Sequence, residues 1–244
     1  MKSTDKKHLI FYREETIMKI LLLGATGRTG KHIIEKTLNK GHKISAIARD
    51  PGKLKEFNID IIQGTPYDYE TVEKAMTGCD AVINTLNVSR KSDNPWARLS
   101  APVDLISRSA SNAIKAMGKS GIRRFIALST IGAGRSWKTT PGMLKFIVSI
   151  SNLKYAFADH GKQEEILENS GLDYTICRAP MLTAEINNTG VVPTKEGERP
   201  AGMYLSRNSA AEFFIKIIEN NEYIRETISL ANKPESKEKD QNAK

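Results

Sequence analysis

The feature that most constrains this chain is residues 20–30, ILLLGATGRTG. Four apolar residues run directly into a glycine-punctuated turn, and a helical pattern follows over 31–39. An apolar run of this kind fits a strand buried on both faces, as in a parallel sheet. In a strand–turn–helix unit Gly24 takes the angles of a tight turn, Gly27 leaves room for a close-approaching phosphate, and Gly30 lets the new helix pack closely. The helix N-terminus adds unpaired N–H groups and partial positive charge, a setting that suits a pyrophosphate. The spacing is G-x-x-G-x-x-G rather than G-x-G-x-x-G, and the flanking strand and helix supply the context such a motif requires.

Strands and helices alternate beyond this unit. Gly41 ends the first helix, and KISAIA over Lys43–Ala48 alternates into a second strand. DIIQ at Asp60–Gln63 is a third strand, 69–76 a helix closed by Gly78, and AVINT at 81–85 a fourth strand. A polar loop over 89–95 precedes a helix over 102–119 with Val103, Ile106, Ala110, Ala113, Ile114 and Met117 on one stripe. RFIAL at 124–128 is a fifth strand ending in Ser129-Thr130. After a glycine- and threonine-rich insert at 132–141, the apolar segment 144–153 is expected to be a helix covering a substrate pocket. A charged helix is expected over 159–169, capped by Asp159, then a sixth strand, DYTICR at 173–178. Residues 185–203 read as loop with short extended pieces, 209–219 as helix and 227–231 as a last strand.

This pattern predicts an α/β fold of Rossmann type, a doubly wound parallel sheet in the order 3-2-1-4-5-6 with room for a seventh strand. A single domain is expected over 18–232, with a small substrate-side region near its C-terminus. Residues 1–17 are polar and mixed in charge: either a loose arm, or an upstream start read in error with Met18 as the true one. Residues 233–244 have almost no apolar content and are expected to be disordered.

The length of 244 residues suits one sizeable α/β domain. No apolar stretch approaches the roughly 18 residues that span a bilayer, and residues 1–17 lack the apolar core of a signal peptide, so the cytoplasm is the default location. Cys79 and Cys177 sit beside or within strands and are expected to be buried thiols; the four histidines are scattered, without metal-ligand spacing. The formal net charge is +9, but the bases are dispersed among acids. That favours a solvated surface with a positive cleft for a phosphorylated cofactor over nucleic-acid binding.

In such folds an acid at the end of the second strand binds adenosine ribose hydroxyls and favours NAD, whereas an arginine there accommodates the 2′-phosphate of NADP. Here that strand runs out at Arg49, with Asp50 one residue late and placed to open an Asp50-Pro51-Gly52 turn. Arg28 and Lys53 can add charge nearby. The planar, permanent charge of Arg49 therefore favours NADP(H), with NAD(H) second.

The GATGRTG turn, Ala48-Arg49-Asp50, Ser129-Thr130 and Arg178-Ala179-Pro180 together resemble the atypical short-chain dehydrogenase/reductases. Within these the chain is most similar to the branch of flavin reductase-like (biliverdin reductase B-like) and NmrA-like NAD(P)-binding proteins, over about residues 18–182. The resemblance implies that Gly24, Thr26, Gly27, Arg28, Thr29 and Gly30 hold the pyrophosphate and Arg49 the 2′-phosphate. Gly64 and Thr65 would lie near the adenine, Thr65 standing where many relatives have Asp. Thr85, Leu86 and Asn87 would line the nicotinamide-side ribose, Pro180 and Met181 would present backbone to the nicotinamide amide, and Ser129 and Thr130 would approach nicotinamide and substrate.

Typical short-chain dehydrogenases pass a proton through a Tyr-x-x-x-Lys pair. No tyrosine here has a lysine four places on; Tyr155, for example, is followed at that spacing by Asp159. Alcohol–ketone interconversion, and epimerase or dehydratase work on a sugar nucleotide, are thereby disfavoured. Flavins, quinones and linear tetrapyrroles are electron-poor acceptors that take a hydride while the proton comes from water or from a hydroxyl such as Ser129 or Thr130. The expectation is an NADPH-dependent reductase of a conjugated acceptor; the alternative is a non-catalytic NADP(H) sensor that binds a protein partner.

Overall fold

The computed structural model describes residues 16–185 and 190–233. Most of the expected N-terminal arm and nearly all of the C-terminal tail lie outside the described residues. Strand β1 (Lys19–Leu23) is the centre of the architecture. Alternate side chains of a strand point to opposite faces, so its apolar run serves two cores. Ile20 and Leu22 pack with Ile33 and Ile34 of α1 (Arg28–Asn39) and with Phe214 and Ile217 of α6 (Arg207–Glu219). Leu21 and Leu23 pack on the other face with Val72 of α2 (Tyr69–Ala75) and with Ala110, Ala113 and Met117 of α3 (Leu105–Ser120). Burial on both faces is what the unbroken hydrophobic run requires.

The main sheet adds β2 (Lys43–Ala48), β3 (Asp60–Gln63), β4 (Ala81–Asn84), β5 (Arg124–Thr130) and β6 (Asp173–Ala179), then β10 (Glu226–Asn232) and β8 (Val191–Lys195). The strand order is β3-β2-β1-β4-β5-β6-β10-β8. The expected order 3-2-1-4-5-6 is therefore present, and the seventh strand is β10, parallel to β6. A second, two-stranded sheet pairs β7 (Met181–Thr183) with β9 (Tyr204–Ser206). Cys79 and Cys177 are buried free thiols. Among the described residues no helix is long and apolar enough to cross a membrane, and no cluster of side chains is fit to hold a metal.

Three elements depart from expectation. One of the short extended pieces expected within the loop-like segment 185–203 is a strand of the main sheet, β8, antiparallel to β10 at the sheet edge. Its Pro193 sits opposite Leu230; an edge strand tolerates proline because one row of its N–H groups needs no partner. The charged helix does not start at Asp159 but at Leu153, as α5 (Leu153–Glu168). Asp159 is a cap, but of another helix: its carboxylate accepts from the backbone N–H of Ile106 (2.7 Å) and Ser107 (3.2 Å) at the start of α3. Burial holds that carboxyl above the ordinary aspartate range in spite of the two bonds. Finally, the apolar segment 144–153 is helical as α4 (Gly142–Ile150), but of the segment only Leu153, the first residue of α5, lines the cleft described next. Met143, Phe146 and Ile150 face outward instead.

Candidate cofactor and acceptor cleft

The order of the sheet reverses between β1 and β4, and loops leaving the carboxyl ends of neighbouring strands diverge there. Such a switch point opens a crevice. Here it is a cleft of about 580 Å³, within the usual range for small-molecule sites.

One end is polar. Gly24 takes φ +93°, and a Cβ there would meet Thr85 Oγ1 at 2.8 Å, so only glycine fits where the turn crosses the end of β4. The turn closes with the Gly27 N–H donating to the Gly24 carbonyl at 2.9 Å. Gly30 does not line the cleft: a Cβ there would run into the Gly24 carbonyl and the Ala25 backbone, so its part is close packing. No side chain caps the N-terminus of α1 and its first turn carries no acid. The unpaired N–H groups and positive pole are thus free for an anion. That arrangement fits a dinucleotide pyrophosphate.

Arginines surround this end. Arg49 leaves β2 into the cleft, and no ion pair among the described residues involves it. Asp50 is occupied as the sequence suggested, its carboxylate accepting from the Gly52 N–H at 3.1 Å. Arg28 instead makes a two-pronged pair with Asp93 of the 89–95 loop, at 2.8 and 3.0 Å, and holds that carboxyl below its ordinary range. The pair is solvent-exposed and so worth little; a bound pyrophosphate would compete with Asp93 for Arg28. Arg207, at the start of α6, also lines the cleft, a cation that the sequence reading did not single out. Thr26, Gly27, Thr29, Gly64, Thr65, Thr85, Leu86 and Asn87 all line the same cleft.

The other end is apolar. Leu128, Leu153, Ala156, Phe157, Ala179, Pro180, Met181 and Leu182 wall it, with Thr130 and His160. The wall from α5 repeats at Leu153, Ala156, Phe157 and His160, the i, i+3, i+4, i+7 spacing of one helix face. Two clamps hold that face over the strand ends. Gln163 accepts from Asn84 Nδ2 at 2.6 Å and donates to the Leu128 carbonyl at 3.2 Å, joining β4 to β5. Asp159, on the adjoining side, caps α3. Tyr155 and Asp159 fall off the cleft face; among the described lining residues there is neither tyrosine nor lysine.

The two candidate hydroxyls differ. Ser129 is buried and donates to Glu164 Oε1 at 2.6 Å. Glu164 in turn accepts from Arg178 Nη2 at 2.7 Å and Nε at 3.0 Å. Arg178 continues to Glu196, and Glu196 to Arg135. The hydroxyl proton of Ser129 is therefore committed to a buried charge network. Thr130 Oγ1 has only a 3.4 Å contact to the Ile131 carbonyl and is the less engaged of the two.

Known proteins share features of this sequence and its fold. A family model described as NAD(P)H-binding matches residues 24–221. The photosystem II assembly factor Ycf39 of Guillardia theta is 27% identical over 223 residues, which are 87% of this chain and 64% of that protein; the chain thus spans less than two thirds of that relative's length. Among solved structures, ChuY, an anaerobillin reductase from Escherichia coli O157:H7, superposes with a TM-score of 0.73 at 20% identity, over 88% of this chain and 97% of that one. A short-chain dehydrogenase/reductase from Veillonella parvula in complex with NADP superposes with a TM-score of 0.71 at 19% identity, over 90% and 100%. At these identities the structural likeness shows the fold.

Proposed function

Because the chain belongs to the NAD(P)H-binding family whose model matches residues 24–221, we propose that it is an NADPH-dependent reductase of a conjugated acceptor. The observation that carries this reading is the two-ended cleft. Its polar end combines the glycine turn, the uncapped α1 and the unpaired Arg49; its apolar end holds no tyrosine or lysine among the described lining residues. The bound cofactor supplies a hydride. The protein's share is to hold the nucleotide by its phosphates, present a dry apolar wall to a flat acceptor, and keep water from the rest of the cleft. Arg49 supports the preference for NADPH over NADH, since it lines the cleft directly after β2, the position that reads the adenosine ribose in such folds, and pairs with no acid among the described residues. The walls support this acceptor class: Phe157, Leu153 and Leu182 suit a flavin, quinone or tetrapyrrole, and the lack of a Tyr-x-x-x-Lys pair is no obstacle to such electron-poor systems.

A second reading is a non-catalytic NADP(H)-responsive assembly or regulatory protein. It is favoured by the likeness to Ycf39 and by the outward apolar face of α4. One experiment separates the two. Purified protein is given NADPH with menadione, FMN or biliverdin in turn, and NADPH oxidation is followed at 340 nm against a protein-free control. Turnover with at least one acceptor is the expected result; tight NADPH binding with none would favour the regulatory reading.

A further inference from the structure

His160 is the one polar side chain of the inner α5 face that the fold does not use. Its neighbours are all engaged: Asp159 caps α3, Gln163 joins β4 to β5, and Glu164 holds Ser129 and Arg178. His160 is 5% exposed, lines the apolar end of the cleft, and makes no hydrogen bond with any described residue. Its Nδ1 is sealed from solvent without a partner among the described residues, so that nitrogen holds the lone pair and the N–H falls to Nε2, the ring nitrogen that is not sealed. Burial alone, with no charged neighbour contributing, pushes the pKa down to about 4, so the ring is neutral near pH 7 and carries one N–H and one lone pair. Nε2 has no partner among the described residues, and a ligand in the adjoining cleft is the direct one. The walls beside it, Leu153, Ala156, Phe157 and Leu128, offer no competing donor or acceptor side chain.

Resting on the reductase reading, we propose that His160 recognises the acceptor, as a neutral imidazole hydrogen-bonded to a carbonyl conjugated with its reducible centre. The class of acceptor this selects is a quinone, an imide or a lactam, rather than a plain polyene or a metal complex. On reduction the acceptor gains a hydride from the cofactor and a proton from solvent, and the imidazole keeps its own proton. The imidazole N–H bears on the carbonyl oxygen, where charge gathers as the conjugated system is reduced, and a donor fixed in a dry site is worth most there. Ser129 is tied to Glu164, so His160 and Thr130 are the polar groups of this end open to an acceptor.

The test is binding, not turnover. Wild-type protein saturated with NADP⁺ is titrated with menadione and with FMN by calorimetry, alongside His160→Phe, which fills the space, and His160→Gln, which keeps a donor. The imidazole of ¹⁵N-histidine-labelled protein is followed by NMR. The wild-type His160 ring signal is expected to move on acceptor addition. His160→Phe is expected to lose about tenfold in acceptor affinity, the size of one buried hydrogen bond, with NADP⁺ affinity unchanged and His160→Gln in between. Acceptor affinity unchanged in His160→Phe, or a loss confined to NADP⁺, overturns this assignment and leaves the reductase reading standing. Wild-type protein that binds NADP⁺ but no acceptor overturns both.

Discussion

Arg49 is placed by short-range sequence alone. It is the residue that follows β2, and the neighbouring acid is drawn into its own turn by the Gly52 N–H. A guanidinium without an acid to pair with, at the rim of a cleft opened by a glycine turn, is set up to bind a phosphate. Arg49→Glu should weaken NADPH by about 100-fold, since a charge-assisted contact is lost and a repulsive one gained, while NADH changes by less than about threefold. Fluorescence titration of both nucleotides checks this, and equal loss of the two would remove the 2′-phosphate role. His160 is the contrasting residue. A lone histidine inside a helix carries no local signal of function. Its meaning arises only when Asn84, Leu128 and Asp159 fix the α5 face above the strand ends.

At the scale of elements, α5 was the least legible. Amphipathic periodicity identifies a helix when its inner face is apolar. The inner face of α5 buries Asp159, His160, Gln163 and Glu164, so the pattern breaks and the first turns vanish into what looked like an apolar segment running on from α4. Burying these groups is tolerable only because partners on β4, β5, β6 and α3 satisfy all but His160. The Glu164–Arg178 pair is the heaviest commitment, both side chains being 3% exposed. Arg178→Met should cost about 3–5 kcal/mol by leaving a buried carboxylate unpaired. Adding Glu164→Gln should return about 1–3 kcal/mol of that. Urea unfolding of the wild type, both single variants and the double variant measures the coupling, and strict additivity would show that the pair does not act as one unit. Strand β8 reads only as a short extended piece for a related reason: Pro193 marks a loop unless the segment is known to lie at an edge.

For the whole molecule, the main consequence of the architecture is that the cleft is assembled from both halves of the sheet. The glycine turn and Arg49 come from β1 and β2, while α5, Pro180 and Met181 come from the far side of the switch point. A ligand spanning the cleft therefore ties the two halves together and binds only the folded chain. NADPH at a hundredfold excess over its Kd should add about 2.7 kcal/mol of stability, raising Tm by about 5–10 °C for a chain of this size. Differential scanning fluorimetry with NADPH, with NADH and with no nucleotide checks this; a Tm indifferent to both nucleotides would mean that the cleft is not held by the cofactor.

The sequence by itself determined the strand that is buried twice over, the glycine turn, the arginine that follows β2 and the order of the first six strands. Each of these is written in neighbouring residues, where backbone angles, side-chain alternation and chain direction act over one turn or one strand. Tertiary structure alone decided which face of α5 looks into the cleft, that Asp159 caps a helix other than its own, that Ser129 is bound to Glu164, and that His160 has no partner among the described residues. Those outcomes depend on donors and acceptors brought together from separate strands and helices. A polar residue's purpose is fixed by what it meets after folding, which its place in the chain does not record.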